Sequence, residues 1–279
     1  MKKAVTVCVM TSVHPPTDSR IYEKEIKSLL KAGYRVVFIN PQKEGGEGNL
    51  VYRKAEMPAF RLFRLLAGPR AVYRAAMACQ ADIFHFHDPE LLKIGLRLMK
   101  RGKVIYDVHE DVPRQILSKE WIPKIFRGAV SRWFERREKR LACRLSYVVT
   151  ATDFIADIFR SCDCAHVAAV HNYPKLSEFA VPPMGTRENA VCYVGGITRV
   201  RGIVEMVRAL EYMDVKLKLA GTFDSPALER EVKAMPGWAK VEYAGQVDRA
   251  DAAAIMSSSK AGLVTLHPIV NYLDALPIK

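Results

Sequence analysis

The chain has 279 residues, room for one large domain or two ordinary ones, and its 49% hydrophobic and 26% charged residues exclude a disordered or fibrous protein. No apolar run approaches the roughly 18 residues of a membrane span. The formal net charge of +13 is lopsided: 30 Lys and Arg stand against 18 Asp and Glu up to Asn172, and 13 against 12 beyond it, so the first part calls for an acidic partner, a nucleic acid or an anionic membrane surface.

Lys2-Lys3 followed by AVTVCVMTSV could pass for a signal peptide, but no small-residue cleavage site follows. Ala4 to Thr11 reads instead as the first buried strand of an uncleaved cytoplasmic protein. After the loop SVHPPTDS, Asp18 is a good N-cap for a helix with Tyr22, Ile26, Leu29 and Leu30 on one face, stopped at Gly33. Strand and helix then alternate. The strands are Arg35 to Asn40, Asp82 to Phe86, Lys103 to Val108, Ser146 to Thr150 and His166 to Val170. The helices are a basic stretch from Phe60 to Ala78, Pro89 to Met99, one long region from about Asp111 to Ala142, and Thr152 to Phe159. Such alternation implies a doubly wound parallel sheet.

The stretch 173–189, with Pro174, Pro182, Pro183 and Gly185, reads as a linker between a first domain, 1–172, and a second, 190–279. The pattern restarts after it, with strands Ala190 to Val194, Lys216 to Leu219, Val241 to Tyr243 and Ala261 to Leu266. Helices Ile203 to Tyr212, Pro226 to Met235 and Arg249 to Met256 lie between them. Two such units place a cleft between the carboxyl ends of two sheets, the expected ligand site. The six scattered cysteines read as reduced, mostly buried thiols.

Within AVCYVGGITRVRGIVEMVRAL, from Ala190, a strand meets the Gly195-Gly196 turn, Arg199 and Arg201 follow, and Gly202 opens a helix. A helix N-terminus offers unpaired N–H groups, glycines let an anion approach the backbone, and two guanidinium groups add forked contacts to phosphate oxygens. An ordinary βα turn with solvated arginines accounts for the same spacing. His85, His87 and Asp88 end one strand, and His109, Glu110 and Asp111 end the next, both at the same rim of the first sheet. His85 reads as a helix cap or the partner of an adjacent acid, whereas His87 and His109 suit contacts to sugar hydroxyls or proton exchange. No motif gives these residues, or Cys162, Cys164 and His166, a usual metal spacing, so no metal is expected.

Basic residues interleave with Phe, Leu and Trp over Arg61 to Arg74 and over Lys124 to Arg144. That pattern suits a helix lying on an anionic bilayer, and equally a solvated basic face over a core stripe. The first loop lacks the G-x-G-x-x-G of a dinucleotide-dependent dehydrogenase. No nucleic-acid-binding module is recognisable, so no nucleic acid partner is expected.

Four places, HPPTDSRIYEKEIKSLLKAGYRV from His14, HDPELL from His87, YDVHEDVPRQI from Tyr106 and YVGGITRVRGI from Tyr193, resemble the retaining GT-B glycosyltransferases of the glycosyl transferase group 1, family 4-like type, especially bacterial enzymes of cell-surface polysaccharide biosynthesis. The resemblance implies an α/β chain of two Rossmann-like domains. The first would bind a glycan or lipid-linked acceptor on the side of His14, Asp18, Arg20, His87, Asp88 and Glu110. The second would bind a nucleotide diphosphate-sugar through Gly195, Gly196, Gly202, Gly221, Thr222, Val247 and Asp274.

His109 matches the family's active-site histidine. Arg201 stands where the family has a lysine, Gly196 where it has an arginine, and Arg199 is expected to supply the missing charge. The scheme needs no cofactor and no metal. The family's second acidic residue falls beyond Lys279, so a C-terminally truncated second domain and an inactive isolated chain are expected. The implied activity is hexosyl transfer with retention of configuration, in the cytoplasm and peripheral to the inner face of its membrane. A nucleotide-sugar epimerase and a non-catalytic basic binding module are the alternatives.

Overall fold

The computed structural model describes residues 4–46, 48–58, 61–119, 121–174, 187–269 and 272. Most of the linker and Asp274 lie outside that set. The chain divides into two compact units, Met1–Asn172 and Tyr173–Lys279.

The first unit is a parallel sheet of seven strands. Strand β1 (Thr6–Met10) is buried throughout, as an apolar run covered on both faces must be. The chain then enters a widened helical turn, Ile21–Ile26, in which Glu25 N–H donates to Arg20 O five residues back, before the short helix α1 (Lys27–Lys31). There follow β2 (Arg35–Asn40), β3 (Leu50–Lys54), α2 (Arg61–Met77), β4 (Ile83–Phe86), α3 (Leu92–Leu98), β5 (Lys103–Val108), α4 (Val112–Ser118), α5 (Lys124–Ala142), β6 (Tyr147–Thr150), α6 (Asp153–Arg160) and β7 (Val167–Ala169). The spatial order is β3-β2-β1-β4-β5-β6-β7, which makes β1, β4 and β5 the centre.

Three expectations are corrected here. Strand β3 pairs with β2 and was not expected, because its apolar run is only Leu50, Val51 and Tyr52 before Arg53 and Lys54. The long helix from Asp111 is two helices: Pro123 disfavours helical backbone in the residue before it, and at its own ψ of 135° it caps α5 from outside. The thiols are not all reduced, since Cys143 after α5 and Cys164 after α6 form a disulfide. That bond also removes Cys164 from any metal set with Cys162 and His166.

The two faces of the sheet carry different cores. On one, Cys8, Met10, Phe84, Phe86, Val104, Tyr106 and Val108 pack with residues of α2, α3 and α6. On the other, Val7, Val9, Val36 and Phe38 lie under Ile21 and Ile26. Strand alternation therefore fixes the placement of the polar residues: His85 pairs with Val9 in register and shares its face, two residues before His87.

The second unit is a four-stranded parallel sheet, in the order β10-β9-β8-β11. In chain order it runs β8 (Glu188–Val194), α7 (Ile203–Ala209), β9 (Lys216–Ala220), α8 (Pro226–Lys233), β10 (Val241–Gly245), α9 (Arg249–Ser258) and β11 (Ser259–Gly262). Its core joins Ile203, Val204 and Val207 of α7 to Leu217 and Leu219 of β9 and to Leu228 and Val232 of α8. Side chains of Ser225 and Asp248 cap α8 and α9, accepting from the N–H of Leu228 and Asp251. Among the described residues, no helix is long and apolar enough to cross a membrane.

Candidate functional site

In the first unit the carboxyl ends of β1, β4 and β5 bring three short sequences together. His85 and His87 lie on one face of β4, Asp107 and His109 on the same face of β5, and the widened turn lays Arg20 and Glu25 over them. Asp107, fully buried, is the hub. Its two oxygens accept from Arg20 Nη2 at 2.8 Å and Nε at 3.1 Å, and Oδ2 lies 3.3 Å from His109 Nε2, 3.6 Å from His87 Nδ1 and 3.8 Å from His85 Nε2. His87 Nδ1 and His109 Nε2 are 2.9 Å apart. Arg20 is anchored further by Nη1, which donates to Val170 O at 2.9 Å.

A second acidic knot sits beside the first. Asp88, buried, accepts from Thr11 Oγ1, Ser12 Oγ and Ser12 N–H, and its other oxygen lies 3.4 Å from His14 Nε2. His14 Nδ1 is 3.5 Å from Asp18. The imidazoles thus form a row, with ring centroids 5.6 Å apart from His14 to His109, 4.7 Å from His109 to His87 and 4.8 Å from His87 to His85. Exposure falls from a side chain 32% exposed at His14 to 14% at His109 and none at His87, and His85 beyond it is 11% exposed.

Charge follows depth. Burial opposes protonation of His14, but Asp18 and Asp88 outweigh it and raise the group to about 10. Burial dominates deeper in, lowering His87 to about 4 and His85 to about 3, so both imidazoles are neutral at physiological pH. Burial also pushes the Glu25 carboxyl well up, aided by the charge of Asp107, while hydrogen bonds from His109 and His87 overcome burial and hold Asp107 well down. The row can present a cation at its mouth, a neutral imidazole behind it and a fixed anion at its base.

In the second unit the turns after β8, β9 and β10 line up at one sheet edge. Gly195 N–H donates to Ala220 O at 2.9 Å and Gly221 N–H to Gly245 O at 2.7 Å. A Cβ on Gly221, which has φ +139°, would lie 1.9 Å from Gly195 O, so only glycine fits. Gly202, at φ +77°, abuts the backbone of Thr265 and caps α7 without a side chain. Arg201 Nη1 donates to Gly196 O at 3.3 Å, and Tyr193 OH donates to the same carbonyl at 2.8 Å. Arg199 turns away, its exposed guanidinium paired with Glu231 of α8.

Residues 23–173 match the model of Glycosyltransferase Family 4. The chain belongs to that family. No curated protein matches it. Among solved structures it is similar to sucrose-phosphate synthase from Thermosynechococcus elongatus, with a TM-score of 0.70 and 16% identity over 95% of this chain and 76% of that one. It is also similar to the UDP-forming α,α-trehalose-phosphate synthase from Burkholderia vietnamiensis (TM-score 0.62, 15% identity, 95% and 77% of the chains). A third is Anabaena HepE in complex with UDP and glucose (TM-score 0.61, 14% identity, 94% and 74%). The fold is of the GT-B type.

Within this family 4 chain, the first unit gathers His14, Asp18, Arg20, His87, Asp88 and His109 at one rim. Glu110 stands apart: it accepts from Gln115 Nε2 at the start of α4. The second unit gathers Gly195, Gly196, Arg201, Gly202 and Gly221 at the other rim, with Thr222 O accepting from Ile197 N–H and Val247 following β10. Asp107 and Glu25 are not among the residues that motif reading selects, and His85, read as a cap, belongs to the cluster. The signal for Asp107 is a charged residue inside an otherwise apolar strand, KVIYDV, two places before His109.

Proposed function

We propose that this family 4 glycosyltransferase moves a hexosyl group from a nucleotide diphosphate-sugar to a hydroxyl of a glycan or lipid-linked acceptor, with retention of configuration. The observation that carries this reading is the sheet edge of the second unit, where glycine turns keep side chains off the backbone beside the Arg201 guanidinium. Burial works against the Arg201 charge, but Tyr272 and Tyr193 outweigh it and keep the guanidinium charged. Such preorganised donors stabilise the charge that grows on a leaving diphosphate as the bond from its oxygen to the anomeric carbon breaks. The acceptor oxygen forms the new bond, and its proton passes to the departing diphosphate. His109 offers a donor or acceptor to sugar hydroxyls, and the buried, neutral His87 supports it from behind at 2.9 Å. The scheme calls for no metal in the transfer step.

Two neighbours carry the donor chemistry in their own descriptions, one UDP-forming and one in complex with UDP and glucose, which supports a nucleotide diphosphate donor here. Thermal unfolding against UDP-, GDP-, ADP- and TDP-sugars tests it. A ligand that binds only the folded form stabilises by about 2.7 kcal/mol at a hundredfold excess over its dissociation constant. One nucleotide should raise the transition, and Arg201→Ala should cut the shift to roughly a third. A chain that responds to none of them refutes the reading.

One surface favours a membrane-bound acceptor. Trp121, Ile125, Phe126 and Trp133 are 79%, 82%, 56% and 58% exposed along the start of α5, among Lys119, Lys124, Arg132, Arg136 and Arg137. Exposed aromatics among cations suit the headgroup layer of an anionic bilayer. Flotation with phosphatidylglycerol vesicles should capture the chain, and Trp121→Ala with Ile125→Ala should release it.

A further inference from the structure

The base of the histidine row holds a group of atoms that the transfer scheme does not use. One ligand atom each from Glu25, His85, His87 and Asp107 lies within 4.8 Å of all the others. Four polar atoms there are buried with no hydrogen-bond partner: both carboxylate oxygens of Glu25, His85 Nε2 and His87 Nε2. The Glu25 carboxylate lies 3.0 Å from Arg20 Nε without hydrogen-bond alignment, and 3.6 Å from His87 Nε2. Buried polar atoms without hydrogen-bond partners are costly, and here they sit on three converging side chains, with only the Arg20 charge beside Glu25 as compensation.

A proton shared between Glu25 and Asp107 would relieve the carboxylates but leave both imidazole Nε2 atoms unpaired. A cation at the centre satisfies all four groups at once. We propose that Glu25, His85, His87 and Asp107 form a buried site for a divalent transition-metal ion. Two neutral imidazoles and two carboxylates are the donor set of zinc and its first-row neighbours rather than of calcium or magnesium, which take mostly oxygen. Four ligands at about 2.0–2.2 Å from zinc stand about 3.3–3.6 Å apart, so the side chains need to close by roughly an ångström. Two negative charges balance the ion, and Arg20, with Nε 3.0 Å from Glu25 and 3.1 Å from Asp107, borders the site.

The site is structural and stands on the cluster alone, whatever the fate of the glycosyl-transfer reading. It ties the widened turn to β4 and β5. It also sets a proton: with Nε2 of His87 on the ion, Nδ1 carries the hydrogen and donates to His109 Nε2 at 2.9 Å. Fixing which ring nitrogen of His87 carries the proton is the kind of tautomer control that metals exert on their ligands.

The test loads the purified chain with Co2+ or Zn2+ alone, removes the excess, and counts metal per chain by plasma mass spectrometry, with the visible spectrum of bound Co2+ as a second readout. The expected result is one ion per chain, intense d–d bands from a four-coordinate N/O site, and retention reduced roughly tenfold or more in both Glu25→Gln and His85→Asn. Circular dichroism identifies which variants remain folded, and the wild-type count needs no variant. A wild-type chain that retains neither ion overturns the proposal, and so does an ion held equally well by folded Glu25→Gln and His85→Asn.

Discussion

The two sheet edges of this protein are built from opposite materials. The edge of the first unit is made of side chains: four imidazoles, four carboxylates and an arginine, most of them out of water, each held by the next. The edge of the second is made of backbone: glycine turns so close that a methyl group would overlap a carbonyl, with Arg201 alongside. Buried side-chain charge fixes protonation and orientation but makes every member dependent on its partners. A backbone edge depends only on the chain's path, and charge around it can change cheaply.

Four changes would break or sharpen that contrast. The largest effect is expected from Asp107→Ala, which strands Arg20 in the interior and should cost about 5 kcal/mol, the upper end for breaking a buried pair. Urea unfolding of the first unit, followed by its tryptophans, reads this out. Next, Gly221→Ala combines a disallowed φ with overlap onto Gly195 O and should destabilise the second unit by about 4 kcal/mol while leaving the first untouched. Limited proteolysis distinguishes the two, since only the second unit should become cleavable.

The third concerns the opposite face of the first sheet, where Glu138 accepts from Tyr106 OH at 2.6 Å. Burial raises Glu138 to about 7, against the bond from Tyr106, with Asp111 and Glu135 adding to the rise. A carboxyl raised on folding binds more protons in the native state. Its stabilisation is therefore full below about 4.5 and is lost as pH climbs through about 7. Glu138→Gln keeps the acceptor and cannot ionise, so relative to it the wild type should lose up to about 3 kcal/mol between pH 4.5 and 8. Equal slopes in denaturant titrations across that range would contradict the assignment.

The smallest effect separates the two arginines. Arg199→Ala removes an exposed pair with Glu231 and should change stability by less than about 1 kcal/mol, with donor affinity nearly unchanged. Arg201→Ala should weaken donor affinity by about 2 kcal/mol, roughly thirtyfold, with little change in folding. Calorimetric titration of the nucleotide identified by thermal unfolding compares them. Equal losses from both would mean that Arg199 leaves Glu231 when donor binds.

Most strands and the glycine turns were legible because each leaves a local mark: apolar runs of five or six, and a glycine at the end of a strand. The histidine row was half legible. His87 and His109 announce themselves after strands, but His85 and Asp107 are seen as partners only when period-two alternation is carried across β4 and β5 together. Glu25 was hidden in YEKEIKSLL, which reads as the charged face of a regular helix, whereas the widened turn aims it inward. The Cys143–Cys164 bond depends on where α5 and α6 end in space, and β3 on a neighbour supplying the pairing its own short sequence scarcely advertises.

That widened turn has a consequence for how such a site can come and go. In a regular α-helix each residue rotates the next side chain by about 100°. Excising one residue between Ile21 and Glu25 would turn the bond from Glu25 N–H to Arg20 O into the regular four-residue repeat and leave no extra residue in the turn. A single codon's worth of length therefore separates the widened turn from an ordinary helical start. A one-residue deletion there tests whether the widening itself holds Arg20 and Glu25 over the histidines.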